Sequence, residues 1–287
     1  MTPRQRQTGA IVSLTGPAYA WLAVTIFLPL AAMLYCSVID VSPLMPDPKH
    51  FTWANYAAFF QKPFYLPLTW WSVLMGFWTT LFSFLIGYPA AYALAKRIKG
   101  RWREALFLLV VLPFWSNALV RVFSWTMVLR QGGLIDMAVH WVFPGAPAIN
   151  LLFTYPAVVI GLVHSYLPYM ILTCYVSLQS IDDSLMEAAR SLGAANWTIF
   201  RRVIFPLSLP GVVSGAVLIF VPVIGSFMEP RILGGAKGAT LGMNIEEQFT
   251  VTANWPLGAA LSFTLLAIVL LIFAALYPIL KRQGVWS

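Results

Sequence analysis

Residues 184–206 read SLMEAARSLGAANWTIFRRVIFP. Ser184 followed by Glu187 fits a capping box, in which each side chain satisfies the other residue's free backbone N–H. Leu185, Met186, Ala189 and Leu192 fall on one helical stripe. Gly193 stands just past it, where a left-handed residue commonly closes a helix. Asn196 is placed to cap a second helix carrying Trp197, Phe200 and Ile204, and Pro206 to stop that helix. The spacing predicts a helix–turn–helix with small residues on its exposed ridge, inside a long loop over 179–209.

Apolar stretches flank this loop and recur along the chain. A bilayer core of about 30 Å needs roughly 20 apolar residues at helical rise. Six stretches qualify, over residues 17–39, 69–95, 105–129, 155–178, 210–228 and 255–280. The fifth opens on Pro210, which suits the first turn of a helix because its missing N–H is unpaired there anyway. Gly211 and Gly215 follow at a spacing that permits close helix packing. Of 287 residues, 60% are hydrophobic and 10% charged, with a mean hydropathy of +0.78. Soluble domains carry about 25% charged residues, so a cytosolic enzyme and a disordered tail are both excluded. Cys36 and Cys174 lie inside apolar stretches, which argues against a disulfide framework, and the three histidines form no metal-ligand spacing. The fold class expected is an all-α integral membrane protein with six transmembrane helices, in a single transmembrane domain over residues 1–287.

Basic residues orient these spans, because Lys and Arg accumulate in cytoplasmic loops. Arg4 and Arg6, then Lys96, Arg97, Lys99, Arg101 and Arg103, then Arg190, Arg201 and Arg202, then Lys281 and Arg282 give 12 on one side. Lys49, Lys62, Arg130, Arg231 and Lys237 give five on the other, and Arg121 falls within the third span. Both termini are therefore expected in the cytoplasm. The formal net charge of +8 follows from orientation and is no argument for a nucleic-acid partner. The first span is too long, and its flanks too unlike a small-residue cleavage site, for a removable signal peptide. In the outer loop over 51–66, Thr52 is placed to cap a short helix whose Trp53, Tyr56 and Phe59 suit a lipid interface.

Glu187-Ala188-Ala189, three residues, Gly193, nine residues and then Val203-Ile204-Phe205-Pro206 resemble the EAA loop of ABC importer permeases, whose pattern reads E-A-A-x3-G-x9-I-x-L-P. Val203 and Phe205 replace the family's Ile and Leu and keep the apolar character. In that family the loop is a coupling helix that docks in a groove of a separate ATPase subunit. The resemblance assigns this role to Glu187, Ala188, Ala189, Gly193, Asn196 and Pro206. The two alanines allow close approach, and Glu187 offers a charge to a basic group. The alternative is a surface helix whose Glu only caps its own backbone. No G-x-x-x-x-G-K-[ST] phosphate loop occurs; Gly234-Gly235-Ala236-Lys237 lacks both the spacing and the following hydroxyl. HExxH and GxSxG are absent too, which leaves an intramembrane enzyme no visible constellation.

Beyond the loop the chain resembles permeases of the spermidine/putrescine type. The stretches concerned are Gly87-Tyr88-Pro89 with Leu94-Ala95-Lys96, Leu112-Pro113-Phe114-Trp115-Ser116-Asn117 running to Arg121, and residues 182–193. Gly225-Ser226-Phe227 with Pro230, Leu233-Gly234-Gly235 and Asn254-Trp255-Pro256 complete them. The resemblance implies a type I importer permease fold in a bacterial inner membrane, surrounded by lipid. It also implies a sister six-span permease, two ATPase subunits and a periplasmic or extracytoplasmic substrate-binding protein. ATP and Mg would be bound by the ATPases, and no cofactor by this chain. Branches that carry opines, iron or phosphonates share several of the motifs, so those solutes stay open beside polyamine.

A charge inside a span costs about 2.5–3.5 kcal/mol on insertion scales and normally faces a cavity or a partner. Arg121 would repel a polyamine, which points to a structural or gating role on carbonyls or on an acid of the sister subunit. Asn117, four residues earlier, is placed to share that network. His164 reads as a packing residue. A cationic substrate asks for carboxylates and aromatic faces. Glu229, at the outer end of the fifth span, is the pathway candidate among the outward acids, with Trp115 and Trp125 as ring partners. Interfacial anchoring accounts for many of the 12 tryptophans without any substrate. An ATP-independent secondary transporter would show an internal repeat, broken helices and intramembrane ion-coordinating acids; no clear six-span repeat and no mid-span carboxylate is evident.

Overall fold

A computed structural model describes residues 3–282, with side chains described over 15–278. The terminal charges Arg4, Arg6, Lys281 and Arg282 counted above lie outside the described side chains. Among the described residues the chain is helical, without β-strands; an isolated bridge pairs Ile39 with Phe51. It divides into two compact units, 1–63 with 245–267 and 64–244 with 268–287.

The first unit begins with α1 (Pro3–Ser37). Its apolar side chains stay uncovered, Trp21, Phe27 and Leu28 at close to 70% exposure, as expected of a helix whose surroundings are lipid or protein. Asn55 closes the turn that follows, its Nδ2 donating to Ser37 O at 3.2 Å and Ile39 O at 2.8 Å. Thr52 Oγ1 accepts from Ala54 N at 3.1 Å at the entry to α2 (Ala54–Gln61). Trp53 is 75% exposed, whereas Phe59 is 2% exposed. The expectation that both sit in the lipid interface is thus corrected: Phe59 turns into the protein, where a fully apolar ring gains most from burial.

The second unit is built on three long helices. α3 (Tyr65–Tyr92) continues through a π-helical turn (Ala93–Arg97), α7 spans Tyr155–Gln179, and α10 spans Phe205–Ile224. Their facing sides bury Met75, Leu162, Met170, Leu178, Ile219 and Val223. Within lipid, helix association depends on close packing rather than on expulsion of water, and the glycines on α10 supply it. A Cβ on Gly211 would stand 2.5 Å from Ser177 Cβ and 2.6 Å from the Thr173 carbonyl, and one on Gly215 2.5 Å from Thr173 Oγ1. The GxxxG spacing is packing of the fifth span on the fourth.

Two spans differ from the expectation. The third, expected as one helix over 105–129, is α4 (Arg101–Val111), a 3₁₀ turn (Leu112–Trp115), α5 (Ala118–Leu129) and α6 (Leu134–Val142), with a bend of 98° at the break after Trp115. Pro113 lacks an N–H for the ladder, and Asn117 starts a new helix with its side chain accepting from Leu119 N at 2.8 Å. Among the described residues five helices are long and apolar enough to cross a membrane, or six when this bent pair counts as one span. The fifth span was expected to begin at Pro210 after a stop at Pro206. Instead α9 (Asn196–Ile199) runs through a π-helical turn (Phe200–Ile204) into α10 as one apolar helix over Asn196–Ile224. Pro206 sits in the first turn of α10, where hydrogen bonding changes from π to α spacing and a missing donor costs little. The span ends at Ile224, so Glu229 lies beyond it, in the segment leading to α11 (Leu241–Thr250). α12 (Trp255–Arg282) follows, with Asn254 Oδ1 accepting from Leu257 N at 3.3 Å at its start.

Candidate functional site

The loop helix α8 spans Asp183–Ser191. Its cap is Asp182, whose Oδ1 accepts from Ser184 N at 2.9 Å, and this replaces the Ser184–Glu187 capping box. The helix starts earlier than expected, so Ser184 lies inside the first turn and presents its amide to Asp182. That amide holds the Asp182 carboxyl below the usual aspartate range. Glu187 is consequently left exposed, and no hydrogen bond to its carboxylate is present among the described residues. At the other end Gly193 adopts φ 77°. Its N–H donates to Arg190 O at 2.9 Å, and Ala194 N donates to Ala189 O at 3.1 Å, the two bonds of a Schellman closure. Asn196 opens α9 without capping it; Ala195 occupies the cap position.

Of the four apolar residues expected on one helical stripe, Met186 and Ala189 pack on the core, while Leu185 and Leu192 are 46% and 87% exposed. Ala188 is exposed, and so is Trp197 at 69%. Leu192 and Trp197 thus join Glu187 and Ala188 on the open surface. Leu192 escapes the helical pattern because it is the C-cap, where the chain already turns away.

Away from the loop, a cavity of about 360 Å³ opens between α5, α7 and the segment after α10, lined by Phe114, Arg121, Ser165, Tyr166, Tyr169 and Glu229 among others. Glu229 is 8% exposed, and its Oε2 accepts from Ser226 Oγ at 2.7 Å. Ser165 Oγ and Arg121 Nε have no hydrogen-bond partner among the described residues. Arg121 Nη1 donates to Pro113 O at 2.8 Å, so the cation also holds the break in the third span. Phe114 and Tyr169 meet edge to face at 4.8 Å, and Tyr166 stands 6.0 Å from Tyr169.

Arg121 and Glu229 therefore share one cavity, together with the rings of Phe114, Tyr166 and Tyr169. Trp115 is 82% exposed and does not line it. Trp125 lies across Arg121, in a second cavity of about 560 Å³ with His164, whose ring meets it at 5.4 Å. His164 thus packs on Trp125 but lines a cavity rather than a sealed core. Asn117 is taken up by its cap. Tyr166 and Tyr169 were not legible beforehand; their spacing of three on an apolar helix looks like packing. No group of three or more His, Cys, Asp or Glu is placed to hold a metal among the described residues.

A helical membrane protein with an exposed, capped helix between two spans and a charged cavity among its helices fits the solute-permease class. The family described as binding-protein-dependent transport system inner membrane component matches residues 83–283, and the chain belongs to that family. Among its relatives is the spermidine/putrescine transport system permease protein PotB of Haemophilus influenzae, 37% identical over 274 residues that cover 92% of this chain and 93% of that one. PotB of Salmonella typhimurium is 35% identical over 280 residues, 96% of each chain. The molybdenum transport system permease protein ModB of Mycobacterium bovis is 27% identical over 86% of this chain and 90% of its own. A bacterial ABC transporter that imports alginate has the same fold, with a TM-score of 0.79 at 14% identity over 96% of both chains. The methionine transporter MetNI matches at 0.56 and 21% identity, over 76% of this chain and 95% of that one. The protein is a multi-pass inner-membrane permease subunit of an ABC importer, with the type I fold.

Proposed function

We propose that this chain, together with a sister permease, forms the path by which an ATP-driven importer moves a polyamine of the spermidine/putrescine class. The observation that carries the reading is the 35–37% identity to spermidine/putrescine permeases over more than nine-tenths of both chains. The exposed Glu187, Ala188, Leu192 and Trp197, on a helix pair closed at Gly193, support docking on an ATPase. A helix end fixed by the hydrogen bonds around Gly193 moves as a unit when pushed. The sequence holds no G-x-x-x-x-G-K-[ST] motif, and in the proposed complex ATP and Mg are bound by the ATPase subunits.

A loaded extracytoplasmic binding protein docks on the outer loops. ATP closes the two ATPases, α8 is displaced, and the path opens outward. Hydrolysis then returns the inward-facing state. Both termini lie in the cytoplasm, on the side of the basic loops. Glu229 receives an ammonium group in the cavity that it shares with the rings of Tyr166 and Tyr169, while Arg121 stays on the Pro113 carbonyl.

Mild-detergent purification of tagged protein from its own host tests this. Mass spectrometry is expected to find an ATPase and a second permease of the same family, with the ATPase lost from the Glu187→Arg variant although that variant still inserts. Protein that purifies alone, with flux independent of ATP, would overturn the reading. Retained ATP-driven uptake by Glu187→Arg would remove the loop from coupling.

A further inference from the structure

Lys96 lies in the π-helical turn that ends α3, and its ammonium is nearly hidden, the side chain 7% exposed. It donates to Ile181 O at 2.6 Å and to Asp183 Oδ1 at 2.7 Å. An ammonium withdrawn from water is stable only where its N–H groups find such partners. Both partners belong to the start of the loop: Ile181 follows the end of α7, and Asp183 is the first residue of α8. Asp183 adds a second favourable term, a carboxylate beside a helix N-terminus.

The contact continues up α3. Tyr88 and Tyr92 precede Lys96 at four-residue spacing, which keeps them close to one face. The Tyr92 ring lies 6.0 Å from Phe200, which itself stacks on Trp197 at 5.5 Å. Tyr88 meets Phe200 at 6.1 Å and Phe205 at 5.7 Å, and its hydroxyl is 2.8 Å from Ser208 Oγ. The loop therefore grips the same helix at both its ends: by a charged pair where α8 begins, and by packed rings where α9 passes into α10. The two ends differ in kind. A nearly hidden ammonium contributes charge-assisted hydrogen bonds that packed rings do not supply, and those bonds are lost when α8 moves away from α3. Between these ends α8 itself buries no side chain.

We propose that Lys96 is a positioning residue that carries the displacement of α8 to α3, so that ATPase movement becomes tilting of the second span. This rests on the reading that the loop docks on an ATPase. The ammonium makes α3, the end of α7 and the first turn of α8 move together; without it α8 is held by the half-buried Met186 and Ala189 and moves without taking α3 along.

The test uses the whole importer, with ATPases, sister permease and binding protein, in proteoliposomes that report spermidine uptake and ATP hydrolysis together. A hydrogen-bonded charge contributes enough that Lys96→Met is expected to lower spermidine imported per ATP by about tenfold while hydrolysis continues. Asp183→Asn is expected to lower the same ratio, and the double variant to be no worse than Lys96→Met alone, as two groups of one contact behave. Lys96→Arg, which keeps a cationic donor, is expected to stay near the wild-type ratio. If Lys96→Met fails to insert, Asp183→Asn at its exposed carboxylate decides. An unchanged ratio, additive losses, or loss of uptake only in step with loss of bound ATPase would overturn the role of Lys96. A wild-type complex without ATP-driven uptake would overturn the importer reading, and the Lys96 role with it.

Discussion

Glu229 carries the sharpest chemistry in the cavity. A carboxylate that is 8% exposed and takes a bond from Ser226 Oγ has been withdrawn from water, and a substrate ammonium entering the cavity would add a charged hydrogen-bond partner. Charge-assisted hydrogen bonds contribute about 1.5–3 kcal/mol, so Glu229→Gln is expected to lower the kcat/KM of spermidine uptake by roughly tenfold or more. Assembly with the partner subunits should be unchanged. Labelled uptake, normalised to assembled complex, measures this; an unaltered rate takes Glu229 out of the path. Glu229→Asp should recover part of the loss. At this level the sequence was informative where the reason was local. Gly193 was legible because a left-handed residue after a helical stripe has few alternatives. The cap was not: Asp182, Asp183 and Ser184 are all capping residue types, and the choice among them depends on where the backbone leaves Ile181, whose carbonyl is fixed by Lys96, 85 residues away.

Helix α10 shows what spacing alone conveys. Gly211 and Gly215 announced close packing, and the partner is α7 of the same chain, where Thr173 O would lie 2.6 Å from an added Cβ. Because that atom is backbone, it cannot swing aside. Gly211→Val should therefore cost about 1–3 kcal/mol, the range found for overpacked cores, seen as a lowered melting temperature of the purified protein in detergent. An unaltered melting temperature would mean that α7 and α10 do not hold this separation. The third span was the poorest expectation. Hydropathy averages over a window, so an apolar stretch interrupted at Pro113 and restarted at Asn117 scores like a continuous helix. The cost of bending it by 98° is met by contacts no window sees, the Asn117 cap and the Arg121 bond to Pro113 O. The fifth span erred the other way, because the π turn over 200–204 let a helix run past a proline that usually ends one.

For the molecule as a whole, 12 basic residues against five predict an insertion with both termini in the cytoplasm. A fluorescent protein fused after Ser287 should fold and fluoresce, as it does in the cytoplasm, and alkaline phosphatase fused at the same point should stay inactive. Active phosphatase would reverse the orientation and put the loop around Glu187 on the wrong face for an ATPase. The uncovered apolar side of α1, with only 6% of its span buried, likewise fits a chain whose remaining surface is completed by lipid and neighbouring subunits.

Composition, span length, loop charge and the Glu187–Pro206 spacing sufficed for membrane class and family, and they set the expected orientation that the fusions test. All four are local or additive quantities, read without knowing what touches what. The shared cavity of Arg121 and Glu229 and the bonds of Lys96 to the start of α8 required the folded chain. Each depends on pairs of groups far apart in sequence, and a hydrogen bond or a close helix crossing exists only at distances that tertiary packing sets.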